Sequence, residues 1–170
     1  PDGWPKRPTW IVAVRTNDGR RIVFGRDDVA GTVGQATQAS AAIPAFYTPV
    51  RIGDRSYVDG ALHSSTNADL VATLGFDLVI ISSVKTATPD ARSWRSDPER
   101  AWFSNKLDNE LAEIRSTGTP AIVIEPDATQ LELLASGERA DACLAGRLAT
   151  ERVLATNEGA GLRSIVEPAS

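Results

Sequence analysis

The chain has 170 residues and a formal net charge of −4, and its 42% hydrophobic content is that of a folded domain. This acidic balance, without long Lys/Arg runs, disfavours a nucleic-acid partner. One cysteine and one histidine allow no internal disulfide and no His/Cys metal cluster. We therefore expect no cofactor and a reducing, cytoplasmic location. No apolar run approaches the roughly 20 residues that span a bilayer, so membrane contact would be peripheral.

The sequence contains no methionine, including at position 1. Because translation starts with Met, we expect that further sequence precedes Pro1 in the complete protein.

Two hairpins are predicted in the first third of the chain, each with β-rich strands around a Gly/Asp turn pair. The strands are residues 9–14 with 21–24, and 49–52 with 55–58. Asp18-Gly19 and Gly53-Asp54 supply the turns. Between the hairpins, Thr32 and Gln35 form a capping-box pattern that opens a small-residue helix. We expect that helix to cover residues 33–43 and to end at Pro44.

Strands and helices alternate in the rest of the chain. A short helix is expected at 67–74, and the apolar run 77–84 is typical of a central strand buried on both faces. A second strand is expected at 120–125. Asp97-Pro98 is typical of a helix start, and Asp127 with Gln130 forms a capping-box pattern that begins another helix. A last helix is expected over 138–157, with an inward-facing stripe of Ala140, Leu144, Leu148 and Leu154. This order predicts an α/β sandwich whose sheet is at least partly parallel.

The third Asp-Gly pair, Asp59-Gly60, differs from the other two because no returning strand follows it. It ends a strand and begins a loop, which is where α/β folds place reactive groups. Gly60 lacks a Cβ and would let a substrate approach the Asp59 carboxylate. A simple turn is the alternative interpretation.

The stretch from residue 36 to 61 reads ATQASAAIPAFYTPVRIGDRSYVDGA. It resembles the second half of the patatin-like phospholipase family. The features that carry the resemblance are the small-residue helix with Ala39-Ser40, then Ile43-Pro44-x-Phe46, Pro49, a hairpin and Tyr57-Val58-Asp59-Gly60. The match is specific between about residues 20 and 84, and similar family segments contain His63, Ser64, Asn67, Ala68 and Asp69.

The family uses a Ser in G-x-S-x-G, an activating Asp in D-G-G or D-G-A, and a Gly-rich oxyanion loop. The resemblance implies that Asp59 is the general base and that Asp59-Gly60-Ala61 is the D-G-A motif. These 170 residues contain neither G-x-S-x-G nor the Gly-rich loop. The resemblance thus implies a partner, the N-terminal half of the same protein, possessing both. It also implies a three-layer α/β/α sandwich of patatin type, with residues 1–170 as the C-terminal portion of a single domain.

The implied function is that of a serine acyl hydrolase acting on lipid or other carboxylic esters. A Ser hydroxyl is a weak nucleophile until a base takes its proton, and a carboxylate can do so if partial burial raises its basicity. The alternative is a non-catalytic binding or scaffold protein that retains the fold. The upstream sequence would discriminate the two, because only the enzyme requires G-x-S-x-G.

An internal Ser-His-Asp triad is disfavoured. Ser40 is predicted inside a helix without the sharp turn that exposes a nucleophile, and Ser64 lies beside His63 in a loop. We expect His63 to be a hydrogen-bonded loop residue or a substrate-side contact.

Two further groups of residues have competing interpretations. The first group is Trp94, Trp102 and Phe103, which would form a lid or a lipid-facing edge in one interpretation. In the other, which we favour, they pack into the core at the start of a helix. Cys143 is expected to be a small core residue, because it stands beside Leu144 in a helix.

Overall fold

The computed structural model describes residues 3–87 and 98–156. The chain divides into two compact units, Pro1–Asn67 and Ala68–Ser170, and each is described by itself. The elements are mixed α and β, as predicted. Within the described ranges, no helix is long and apolar enough to cross a membrane.

The first unit is a four-stranded antiparallel sheet with one α-helix. Its elements are β1 (Ile11–Arg15), β2 (Arg21–Phe24), α1 (Val33–Ser40), β3 (Val50–Ile52) and β4 (Arg55–Asp59). The strand order is β2-β1-β4-β3, so both predicted hairpins are confirmed and β1 joins them at the centre of the sheet. Pairing of β1 with β4 sets Ala13 opposite Asp59, which fixes the position of Asp59.

One face of this sheet packs against α1. The buried cluster consists of sheet residues Ala13, Ile22, Phe24, Ile52 and Tyr57 with helix residues Ala36 and Ala39. The helix contributes only alanines to this contact, so its backbone can approach the sheet closely. Phe24 and Tyr57 pack edge to face, with ring centroids 5.2 Å apart. The small-residue pattern in α1 is therefore explained by packing.

The capping box that begins α1 is confirmed, because the Thr32 side chain accepts from the Gln35 N–H and the Gln35 side chain accepts from the Thr32 N–H. The helix ends at Ser40, three residues before the predicted end at 43. A residue that precedes proline is disfavoured in the α conformation, and here that residue is Ile43. The chain then turns through Ala45 in the left-handed region, at φ 70°.

In its described residues, the second unit has two parallel strands and three α-helices. They are β5 (Val79–Ser82), α2 (Pro98–Ser116), β6 (Ala121–Ile124), α3 (Ala128–Ala135) and α4 (Arg139–Leu154). The Asp127/Gln130 capping box at α3 is confirmed by two reciprocal hydrogen bonds of 3.0 Å. The helix expected at 67–74 is instead a short 3₁₀ turn, Ala68–Val71, followed by Gly75 at φ 69°. Asp97 lies outside the described residues.

Strand β5 is buried on one face only in this chain, and the predicted burial of both faces, which needs packing partners on both sides of the strand, stays a prediction. Val79 and Ile81 are buried in a cluster with Leu107, Leu111 and Ile114 of α2, whereas Ile80 is 57% exposed. Successive residues of a strand point to opposite sides, and among the described residues of this unit only one side of β5 is packed. A continuous apolar run in the sequence does not indicate which face of the strand will be buried.

Helix α4 is rotated relative to the predicted phase. Ala145 and Ala149 are its buried residues, and Leu144, Leu148 and Leu154 are partly buried. Ala140 and Cys143 are exposed, so both were wrongly expected to face inward. Cys143 is two residues from Ala145, a separation of about 200° around a helix, and this directs the thiol away from the packed face.

At the start of α2, Phe103 is 6% exposed and packs edge to face on Trp102, which is 40% exposed. Core packing is confirmed for Phe103. Trp94 lies outside the described residues. The three-layer α/β/α arrangement stays a prediction.

Candidate active site

Asp59 is the last residue of β4 and the N-cap of a 3₁₀ turn, Gly60–Leu62. Its backbone N–H donates to the Ala42 carbonyl at 3.0 Å. Its Oδ1 accepts from the Ala61 N–H at 2.8 Å. The pair Asp59-Gly60 therefore makes a capped turn that leads away from the sheet, not a hairpin.

The two carboxylate oxygens of Asp59 have different surroundings. Oδ1 is fixed by the Ala61 N–H, whereas Oδ2 has no hydrogen-bond partner within the part of the chain that the structure describes. The residue is partly buried and lines a cavity of about 420 Å³. A carboxylate held at one oxygen and open at the other can accept a proton from a group in that cavity.

The cavity, called here the Asp59 cavity, has one apolar wall and one polar wall. The apolar wall comes from β1 and the residue before it, and the polar wall comes from the end of α1 and the loop after β4. The lining residues are Trp10, Ile11, Val12, Ser40, Asp59, Gly60, Ala61, Ser64, Ser65, Thr66 and Asn67. All belong to the first unit. The cavity therefore combines a carboxylate with several hydroxyl groups.

Gly60 is required by the packing of the turn against β1. A Cβ on Gly60 would lie 2.4 Å from the Val12 carbonyl oxygen and 2.9 Å from the Val12 carbonyl carbon. These separations are shorter than van der Waals contact, so no larger residue fits without movement of backbone. The structure thus gives Gly60 a packing reason, and the predicted approach of a substrate at this position stays a prediction.

A network of hydrogen bonds shapes the loop that forms the polar wall. The Ser64 Oγ is buried and accepts from the backbone N–H of Thr66 at 3.2 Å and of Asn67 at 3.1 Å. The Asn67 side chain donates to the Ser64 carbonyl and accepts from Arg21 of β2 at 3.3 Å. Asn67 has φ 50°, a left-handed conformation that Asn tolerates better than most residues. The loop is thereby anchored to the sheet.

The structure places only part of the disfavoured internal triad on the Asp59 cavity. Ser40 and Ser64 both line the Asp59 cavity, but His63 is not among its lining residues. His63 is half-buried and ends the 3₁₀ turn, where its N–H donates to the Gly60 carbonyl at 3.0 Å. The Ser64 hydroxyl is occupied by backbone donors, which makes it a poor nucleophile.

Five lining residues were not anticipated from the sequence: Trp10, Ile11, Val12, Ser65 and Thr66. The uninterrupted hydroxyl run 64–66 directly after the D-G-A motif was the available signal for two of them. Nothing local marks Trp10, Ile11 and Val12, which reach the site only because β1 pairs with β4.

The clearest electrostatic effect lies away from the cavity, in the first hairpin. Asp18 accepts two hydrogen bonds from the Arg15 guanidinium and one from the Arg20 N–H. These bonds, led by those from Arg15, lower the pKa of Asp18 from its usual 3.8 to about 2. The same pairing raises the pKa of Arg15. Across the described residues, no group of three or more His, Cys, Asp or Glu is placed to bind a metal ion.

Comparison with known families places the site inside a recognised segment. Residues 5–72 match the family model described as patatin-like phospholipase. This segment is about two-fifths of the chain, and it contains every lining residue of the Asp59 cavity. The matched segment starts earlier and ends earlier in the chain than residues 20–84, the stretch that carries the resemblance in the sequence. The match suggests a lipid acyl hydrolase family as the relative of residues 5–72.

Proposed function

We propose that the protein is a serine acyl hydrolase that acts on lipid or other carboxylic esters through a Ser-Asp dyad, with Asp59 as the general base. The observation that carries the proposal is the Asp59 carboxylate, fixed at Oδ1 and unpartnered at Oδ2 among the described residues, on a cavity within the matched segment. Residues 1–170 would be the C-terminal portion of one three-layer α/β/α domain.

The serine comes from outside this chain in the proposed mechanism. The N-terminal part of the same protein supplies it within G-x-S-x-G, together with a Gly-rich oxyanion loop. Asp59 Oδ2 accepts the serine proton while Oγ attacks the ester carbonyl carbon, and oxyanion donors stabilise the tetrahedral intermediate. Asp59 then returns the proton to the departing alcohol oxygen, and water releases the acyl group by the reverse sequence.

The hydrogen bond from the Ala61 N–H has a defined part in this mechanism. It is 2.8 Å long and holds Oδ1, so the rotation of the carboxylate is restricted and Oδ2 stays directed at the reacting groups. The β4–β1 pairing holds the backbone of Asp59 in the same way. The base is therefore positioned before a substrate binds.

The test is Asp59→Asn in the complete protein, assayed with a chromogenic short-chain ester. The amide keeps the shape and can still accept from Ala61, but it cannot act as a base, so turnover should fall by about 10³-fold or more. Asp54→Asn, in the β3–β4 turn and outside the cavity lining, is the matched control and should retain full activity. Unchanged turnover in Asp59→Asn would remove Asp59 from the mechanism and favour the binding or scaffold alternative.

Fluorophosphonate labelling followed by peptide mapping tests the position of the nucleophile. The label should attach to a serine outside these 170 residues. Attachment to Ser40 or Ser64 would show instead that the nucleophile lies in the Asp59 cavity of this chain.

A further inference from the structure

The segment between α1 and β3, residues 43–49, presents apolar side chains to solvent. It reads Ile-Pro-Ala-Phe-Tyr-Thr-Pro, and all of its residues are exposed. Phe46 is 81% exposed and Tyr47 is 63% exposed, more than any other large hydrophobic residue that the structure describes. Large apolar side chains that are exposed side by side mark an interaction surface, whereas single ones do not. The segment is called here the aromatic turn.

The backbone of the aromatic turn is held by its own hydrogen bonds. The N–H groups of Phe46 and Tyr47 both donate to the Ile43 carbonyl, at 3.2 and 2.9 Å. Pro44 has no N–H, and Ala45 adopts φ 70° within the turn. Unpaired backbone donors oppose entry into lipid, because no water is present there to satisfy them. Here the donors of the two aromatic residues are already paired, so their side chains can leave water without that penalty.

The distribution of charge indicates which kind of partner fits this apolar surface. No charged residue stands between Asp28 and Arg51, so the aromatic turn has no charge to desolvate. Residues 1–67 contain eight Lys or Arg and six Asp, a net charge of +2, whereas residues 68–170 contain ten Lys or Arg and sixteen Asp or Glu, a net charge of −6. An uncharged apolar surface on a cationic unit complements an anionic bilayer, which offers apolar chains beneath negative headgroups.

The aromatic turn lies beside the Asp59 cavity. The Asp59 N–H donates to the carbonyl of Ala42, the residue that immediately precedes the turn. Ser40, which lines the cavity, is three residues before Ile43. A bilayer that contacts the turn would therefore lie next to the carboxylate.

We propose that the aromatic turn is a docking surface for an anionic membrane. Phe46 and Tyr47 enter the interfacial region of the bilayer, and Arg51, the exposed cation that follows the turn, contacts the headgroups. The contact is peripheral and reversible. The inference goes beyond the proposed function, because docking requires no chemistry at Asp59.

The test is cosedimentation of the complete protein with vesicles of phosphatidylglycerol mixed with phosphatidylcholine. Phe46→Ala should weaken binding to these vesicles about tenfold, the effect of removing one large apolar side chain from the interface. Phe76→Ala makes the same change at another exposed phenylalanine, outside the aromatic turn, and should bind as the wild type does. Absence of wild-type binding, or equal binding by the two variants, overturns the inference.

The electrostatic contribution is tested with vesicles of phosphatidylcholine alone. The wild type should bind these more weakly, and Arg51→Gln should lose about fivefold in binding to the anionic vesicles only. Arg139→Gln, at an exposed position of the second unit, should bind both kinds of vesicle as the wild type does. Salt should reduce the preference for anionic vesicles, because it screens exposed charges. Equal wild-type binding to the two kinds of vesicle overturns the inference.

Other occupants of the aromatic turn would give different results. If another part of the complete protein covered Phe46, Phe46→Ala would lower the Tm and leave vesicle binding unchanged. If a second copy covered it, Phe46→Ala would convert a dimer into a monomer in sedimentation velocity, again with unchanged vesicle binding. Either result overturns the inference. The expected result is a wild-type Tm and an unchanged oligomeric state, because an exposed side chain contributes little packing.

Failure of the proposed function would be distinguishable from failure of this inference. Vesicle binding requires no ester hydrolysis, so Asp59→Asn should bind the vesicles as tightly as the wild type. Binding that depends on Phe46, in a protein that hydrolyses no ester, would support docking and remove the hydrolase. Hydrolysis of the chromogenic short-chain ester by a protein that binds no vesicles would support the hydrolase and overturn docking.

Discussion

Adding one methyl group at Gly60 should both destabilise the first unit and weaken catalysis. The new Cβ would lie 2.4 Å from the Val12 carbonyl oxygen, so the turn and β1 must separate by roughly 0.6–1 Å to restore normal contact. The contact is with backbone, which has no rotamer to relieve it. Overpacking of this kind costs about 1–3 kcal/mol in unfolding free energy.

The separation would occur at the residue next to the proposed base. Asp59 pairs with Ala13 of β1, and Val12 precedes Ala13, so the movement is transmitted directly to the carboxylate. A misplacement near 1 Å costs about 10²-fold in rate. We therefore expect a lower urea midpoint in Gly60→Ala and a reduced turnover of the folded fraction.

Gly34→Ala is the matched control for Gly60→Ala. Gly34 lies in α1, and an added Cβ there would have only the Thr32 Oγ1 nearby, at 3.8 Å. Because Ala is a better helix former than Gly, this variant should be equal to the wild type or more stable by up to about 1 kcal/mol. If Gly60→Ala proved as stable as Gly34→Ala, the close packing of the turn against β1 would be refuted.

The other predictions concern the first hairpin and the loop anchor. Because the pKa of Asp18 is about 2 in the folded protein, below its usual 3.8, its stabilising pairing is complete above about pH 4 and is lost as the pH falls toward 2. Urea midpoints measured from pH 5 to 2 should show a salt-sensitive fall that Asp18→Asn reduces, and identical profiles for the two proteins would contradict the pairing. Asn67→Ala removes two side-chain hydrogen bonds and leaves alanine at φ 50°, so it should cost about 1–3 kcal/mol in unfolding free energy and lower ester turnover. Asn105→Ala, at an exposed position of α2, should be neutral, and equal stability of the two variants would refute the anchor.

Local interactions explain which structural predictions succeeded. The turns at Gly19 and Gly53 adopt φ 68° and 61°, as a Gly in a tight hairpin turn can, and the capping boxes of α1 and α3 join residues only three apart. The inward stripe of α2 was also predictable, because Phe103, Leu107, Leu111 and Ile114 repeat at helical spacing. Each of these features depends on residues close in sequence.

Predictions that depended on distant residues succeeded less often. The α4 stripe was misplaced because its buried residues, Ala145 and Ala149, are no more apolar than exposed Ala140. Only one face of β5 is packed within this chain, and a run of apolar residues does not show how many of its faces are packed there.

For the site, the sequence by itself determined that Asp59 ends a strand without a hairpin and that the motif around it resembles one family. Both conclusions come from residues that are contiguous in the chain around Asp59. Only the tertiary structure decided what surrounds the carboxylate: β1 brings Trp10 and Val12 to it, α1 brings Ser40, and the loop brings Ser65. These residues are up to 55 positions apart (10 to 65), and strand pairing between β1 and β4 unites them, a long-range contact that no local pattern specifies.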